Sequence, residues 1–185
     1  FGFRFVQNQF FPSSNRPELI VDLWLPQGAS FQATETQVRR MEEKLKGDEN
    51  ILNYVAYVGN GSPRFYLPLD QQLGHPNFAQ FVIVTKSNKA REVLYDKLNR
   101  TLETEFPVLR GRVNRLENGP PVGYPVQFRV IGNDIPTVRK IAFEVASIVR
   151  ANPNAQNVHL DWNEQVKNIR LEIDQNKARV IGVSS

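Results

Sequence analysis

The sequence predicts an α+β chain of two ferredoxin-like units, each a split β-α-β arrangement (βαββαβ), with the second unit incomplete. Three observations carry this reading. Between Pro17 and Glu117, stretches of period two and stretches of helical spacing succeed one another as strand, helix, strand, strand, helix, strand. The turn-rich "ENGPPVG", Glu117 to Gly123, then interrupts the pattern, and the alternation begins again beyond it. The second pass runs strand, helix, strand, strand and the start of a helix, without a last strand. The repeat is one of pattern and not of residue identity.

Phe1 to Gln9 alternates aromatic and polar residues around Arg4, which suits either an edge strand or a chain leaving a membrane. Because the first residue is Phe and no initiator Met precedes it, the chain reads as an excised segment. From Pro17 to Pro26, Leu19, Val21, Leu23 and Leu25 point one way, and Ile20, Asp22 and Trp24 the other. One carboxylate between two large apolar side chains implies a half-covered second face. "QGAS" turns the chain, and Thr34 with Gln37 forms a capping box for a helix carrying Val38, Met41 and Leu45. Gly47 is the expected C-cap, and a second strand runs from Ile51 to Gly59. The loop from Asn60 to Asn77 holds three prolines and two glycines, so it is irregular, and a loop of this length is usually functional or mobile. A third strand spans Phe78 to Lys86, and a helix from Lys89 to Phe106 places Val93, Leu94, Leu98 and Leu102 on one stripe. Pro107 stops it, and Leu109 to Leu116 is the fourth strand.

In the second unit, "YPVQFRVIG" is a strand with Val126, Phe128 and Val130 on one face. A helix from Ile135 to Ala151 follows, then strands at Val158 to Trp162 and Asn168 to Asp174, then a short helix. An open half-unit leaves an unpaired edge, so its remainder is expected from elsewhere.

Composition bounds the chemistry. With 185 residues and 41% apolar content the chain can bury one sizeable core or two small ones. A formal charge of +4 permits an anionic partner without demanding one, because Lys and Arg form no dense patch. There are no cysteines, hence no disulfide and no thiolate metal site. The longest clean apolar runs are a few residues, as in "FVIV", whereas a membrane helix needs about 20.

No catalytic constellation emerges. His75 and His159 fall in different units, neither sits at metal-ligand spacing, and the single Met41 lies on a helix stripe. "GNGSPR" lacks the Gly-Lys-Ser/Thr ending of a phosphate loop, and no Gly-x-Ser-x-Gly elbow is present. Nucleic acid is not an expected partner: "RGRVNRL" has Arg112 and Val113 where an RNA-binding ferredoxin-like sheet would stack aromatics. What remains is the loop, where Arg64, Phe65, Tyr66, Leu67 and Leu69 either contact something or fold back under their own unit.

"FFPSSNRPELIVDLWLPQGAS", "YVGNGSPRFYLPLD", "ENGPPVG" and "EIDQNKARVIGVS", in this order over nearly the whole chain, resemble the RND (resistance–nodulation–cell division) efflux transporters. The first resembles the segment leaving the family's seventh transmembrane helix. The last resembles its "x-[VI]-D-x-x-K-A-x-x-[LI]-G-[VI]-S" motif. The resemblance implies a membrane-exit segment at 1–16, a first porter subdomain at 17–117, a linker at 118–123 and the first part of a second porter subdomain at 124–185. It further implies the periplasmic part of a bacterial inner-membrane transporter, trimeric, that works with a periplasmic adaptor and an outer-membrane channel. Small amphiphilic substrates would bind in a cleft between the subdomains, with export driven by protons through residues outside this chain. No cofactor and no enzymatic step are implied.

Carried over by position, Ile20 and Asp22 are the expected cleft residues of the first strand, Phe81 of the third, and Phe128 and Val130 of the strand after the linker. The loop takes the place of the family's moving loop between binding sites, with Arg64, Phe65 and Tyr66 as its contacts. Asp161 falls where some drug exporters carry a basic residue, and with Asp22 opposite it implies a more acidic cleft. The heavy-metal branch uses methionines here, and their absence argues against it. Two alternatives stay open: an RND-related subunit whose periplasmic region serves assembly and adaptor contacts, and a soluble ferredoxin-like binding domain.

Overall fold

Between Pro17 and Pro26 the period-two pattern becomes β1 (Glu18–Trp24), whose neighbours on both sides make it a central strand. The computed structural model describes residues 14–120, 123–124, 126–162, 165–167, 169–180 and 182. The aromatic opening at 1–13, including most of the expected membrane-exit segment, lies outside them. Elements follow as α1 (Phe31–Leu45), β2 (Ile51–Val58), β3 (Phe78–Thr85), α2 (Asn88–Glu105) and β4 (Arg110–Arg115). The sheet order is β2-β3-β1-β4, and every adjacent pair is antiparallel. That is the split βαβ arrangement the alternation predicts.

The apolar phase of each element explains the packing. Leu19, Val21 and Leu23 of β1 share one sheet face with Phe81 and Ile83 of β3, and α1 and α2 cover it with Val38, Met41, Leu45, Leu94, Leu98 and Leu102. Gly111 on β4 allows this approach, since a Cβ there would lie 2.6 Å from Leu102 Cδ2. On the opposite face Ile20 packs with Leu69 and Leu116 under the returning loop. One of the two readings of that loop is therefore realised for Leu69, while Leu67 and Leu73 remain exposed.

The local caps differ from the expected ones. Ser30, not Thr34, is the N-cap of α1, its Oγ accepting the Ala33 amide at 3.2 Å. Thr34 is buried inside the helix, and its hydroxyl donates to the Pro76 carbonyl at 2.7 Å, pinning the far end of the loop. The C-cap is Lys46, with Gly47 just beyond at φ +77°. Ser87 caps α2 by accepting from Ala90.

An ionic cluster joins α2 to β4. Glu92 accepts from Arg115 Nε at 3.1 Å and from Arg91 Nε at 2.9 Å, and the Arg115 pairing holds its carboxyl down at about 2. Arg91 also donates to the carbonyls of Ser14 and Arg16 at 2.7 and 2.6 Å, tying the chain before β1 to the helix. The Glu92 side chain is 44% exposed, so water screens much of the pairing. Glu92→Gln is expected to cost about 1 kcal/mol at pH 7. A depressed carboxyl stabilises above its unfolded value and loses that contribution as pH falls, so the difference should vanish from about 4.5 towards about 2. Urea unfolding of both chains across that range measures it.

The second unit departs from expectation. α3 (Ile135–Arg150) forms under an Asp134 N-cap with Pro136 in its first turn, and α4 (Gln175–Val180) follows. The strands expected at 124–132, 158–162 and 168–174 form no ladder among the described residues. A strand is a pairing between segments, and period two in one segment cannot supply its neighbour. Consistently, Phe128, Ile169 and Leu171 stand exposed, and α3 buries only Ala146.

Candidate functional site

The face of the first sheet turned away from the helices carries the polar chemistry. Period two puts Ile20, Asp22 and Trp24 there from β1, and the β1–β4 register sets them opposite Asn114, Arg112 and Arg110. On the other side Asp22 lies opposite Gln80 of β3. The loop forms a second wall with Tyr66 and Leu69, and Tyr124, His159 and Asp161 form a third. The cleft so enclosed has a cavity volume of about 390 Å³.

Gly59 starts the loop wall. Its φ of +71° at the end of β2 is one that a residue with a side chain rarely adopts, and it turns the chain out of the sheet. The Gly59 amide donates to Phe78 and its carbonyl accepts from His75, closing the base of the loop. The Tyr66 hydroxyl donates to Asn118 Oδ1 at 3.2 Å, and the Arg16 guanidinium sits 5.1 Å from the Tyr66 ring. The loop is thus tied to the segments before β1 and after β4.

Asp22 is the electrostatic centre. Gln80 Nε2 donates to its Oδ1 at 2.7 Å and Asn114 Nδ2 to its Oδ2 at 3.3 Å, so both hydrogen-bonding side chains are neutral amides. Burial pushes the carboxyl up to about 6, opposed by the Gln80 bond and by Arg112 and Arg110, and aided by Asp70. The arginines engage aromatics: Arg112 lies 4.6 Å from the Tyr124 ring and Arg110 5.2 Å from Trp24. Tyr124 meets His159 edge-on with centroids 4.4 Å apart. Burial lowers the His159 pKa, the neighbouring arginines add to this, and Nδ1 bonded to the Asn157 carbonyl at 2.7 Å opposes it.

Of the residues expected in the cleft, Ile20, Asp22, Tyr66 and Asp161 come together around it. Arg64, Phe65, Phe128 and Val130 do not line it. Phe81 is corrected: it is fully buried on the helix-covered face with Val21 and Ile83. Its register partner is Val21, one residue out of phase with Ile20 and Asp22, and the pleat sends it to the opposite side. The expected acidic character is also offset, because Arg110 and Arg112 face Asp22, Asp70 and Asp161 across the same space. Sequence reading missed Gln80, Arg110, Arg112 and Asn114. The Arg110-x-Arg112-x-Asn114 alternation was visible, but the strand register that brings it to Asp22 was not. Among the described residues no group of three or more His, Cys, Asp or Glu could hold a metal ion.

A family model described as the AcrB/AcrD/AcrF family matches residues 1–185, the whole sequence. The chain belongs to the AcrB/AcrD/AcrF family. No curated protein matches it. Among solved structures, the crystal structure of a heavy metal efflux pump matches with a TM-score of 0.62 at 13% identity. The match covers 95% of this AcrB/AcrD/AcrF-family chain and 19% of the pump chain. At that identity the likeness is one of fold, and it says nothing here about metal. The family match and the fold together identify this as porter-region sequence of an RND permease. No helix of the described residues is long and apolar enough to cross a membrane.

Proposed function

We propose that this chain is the periplasmic porter region of a proton-driven RND efflux pump, and that it binds amphiphilic substrates in the cleft described above. The carrying observation is the cleft itself, with a volume of about 390 Å³ in which the Tyr66 and Tyr124 side chains stand beside Asp22, Arg110 and Arg112. The lining sets apolar and aromatic side chains such as Ile20, Trp24, Leu69 and Tyr124 among many charged and amide groups, and that mixture suits a molecule that is part hydrocarbon and part polar. The whole pump is a homotrimer that delivers to an adaptor and an outer-membrane channel. Residues 17–117 and 124–185 act as two porter subdomains that rock about 118–123, with the Tyr66 loop gating the space between them. The work is binding and alternating access, without covalent chemistry.

The test is substitution in the full-length transporter. Tyr66→Ala is expected to shift the export profile several-fold between substrates while the trimer stays assembled. Phe128→Ala, 66% exposed and off the cleft, should leave that profile unchanged. Resistance profiles and native gel mobility read the two outcomes. If Tyr66→Ala disrupts assembly and leaves the profile alone, the assembly reading replaces this one.

A further inference from the structure

Gln80 is an unusual residue to find at the centre of a sheet. It is 2% exposed, and a carboxamide so enclosed must satisfy both of its ends within the protein. It does so by bridging the 60–77 loop and β1. Its Oε1 accepts the backbone N–H of Ser62 at 2.7 Å, and its Nε2 donates to Asp22 Oδ1 at 2.7 Å. These two bonds fix which end of the amide points where: turning it over would face an N–H to an N–H and an oxygen to a carboxylate. Ser62 is itself buried, and its Oγ has no hydrogen-bond partner among the described residues, so its backbone N–H is its polar link to the sheet. The neighbouring Gly61 is packed tightly, since a Cβ there would lie 2.8 Å from the Gln72 carbonyl oxygen. The loop is therefore anchored where it has little room to adjust.

We propose that Gln80 is a positioning residue that couples the charge state of Asp22 in the cleft to the anchoring of the 60–77 loop at Ser62. An ionised Asp22 accepts a charge-assisted bond from Nε2, which polarises the amide and strengthens the bond that Oε1 accepts from Ser62. A neutral Asp22 weakens both links in turn. A cationic group of a substrate that pairs with Asp22 keeps the carboxylate ionised, and so keeps the loop latched. This consequence rests on the cleft reading above, whereas the coupling is a property of the chain alone. The titratable and charged groups lining the cleft with Asp22 are Arg110, Arg112 and Arg115 from β4, Glu117 just after it, Asp70 from the loop, and His159 and Asp161 from the third wall. His75 is a further titratable side chain in the same loop.

The experiment is a pH titration of the chain by NMR, following the Ser62 amide and the Asp22 carboxyl carbon together. The expected result is one shared midpoint near 6 for both signals. Asp22→Asn should abolish the Ser62 response, which separates Asp22 from His75 and Asp70. Gln80→Met should leave Asp22 titrating, with its midpoint moved up, while the Ser62 amide no longer follows. A Ser62 amide that ignores pH in the unaltered chain, or follows it equally in Asp22→Asn or Gln80→Met, overturns the proposal. The Asp22→Asn comparison needs no change at Gln80, so a Ser62 amide that still follows pH there overturns the coupling even if Gln80→Met does not fold. Export is not measured, so a negative result leaves the transport reading standing, and a failure of that reading leaves this one intact.

Discussion

Phe81→Ala is expected to lower the unfolding free energy by about 3–5 kcal/mol. The ring is fully buried between the sheet and the two helices, packed in one cluster with Val21, Met41 and Leu98. Tyr54 of β2 lies beside it, tilted at 47° with centroids 6.2 Å apart. Truncation removes the transfer energy of the ring and leaves a cavity whose walls are strands and helices, which collapse little. A domain of this size has about 5–15 kcal/mol in all, so the variant should be partly unfolded at 37 °C. Phe81→Leu keeps most of the volume and should cost distinctly less. Thermal and urea unfolding of the three chains measure the order. The same series separates two roles for this side chain. A cleft aromatic would alter export with little loss of stability, whereas a core aromatic does the reverse.

Asp22→Asn is expected to stabilise the chain at alkaline pH and to leave it unchanged near pH 4. The folded carboxyl is raised from 3.8 to about 6, chiefly by burial. An acid with a raised folded pKa favours the folded state while it is protonated in both states. That contribution is lost as pH climbs from the unfolded value through the folded one, so the window runs from about 4 to about 6. The gap between 3.8 and about 6 corresponds to roughly 3 kcal/mol of penalty carried by the ionised side chain above pH 6. Asn keeps an oxygen to accept from Gln80 Nε2 and carries no charge to desolvate. Denaturant midpoints at pH 4.0 and pH 8.0 for both chains give the result directly. Equal differences at the two values would mean that Asp22 titrates as an ordinary surface carboxylate. A residue whose charge costs this much is a candidate for function, because a counter-charge brought by a ligand would offset the cost.

Much of this was legible in the sequence, and the residues show why. The β1 alternation correctly separates Leu19, Val21 and Leu23 from Ile20, Asp22 and Trp24, because the pleat of a strand is local geometry. The helical stripes of Val38, Met41 and Leu45, and of Leu94, Leu98 and Leu102, follow for the same reason, whereas Val93, expected on the second stripe, stands exposed and Arg91 is buried in its place. The α1 cap was misplaced by four residues because Ser30 and Thr34 are both competent caps, and only the path of the preceding turn chooses between them. Phe81 falls on the other face than the resemblance implies: "FAQFVIV" carries apolar residues on both faces with Gln80 its single polar member, so period two alone does not say which face the helices cover. The unpaired stretches of the second unit mark the same limit: Val126, Phe128 and Val130 alternate, but a ladder needs a second segment.

By itself the sequence determined the element order and split βαβ arrangement of the first unit, the family and one wall of the cleft, with Ile20 and Asp22. These depend on residues near each other along the chain, where periodicity, turn chemistry and motif spacing operate. Only the tertiary structure decided that Gln80, Asn114, Arg110 and Arg112 gather around Asp22, that Tyr66 of the loop lines the same cleft and that Phe81 does not. Those outcomes depend on strand register and on where a long loop returns. Register compares residues far apart in sequence, such as Asp22 with Gln80 and Arg112, and no local pattern carries that comparison.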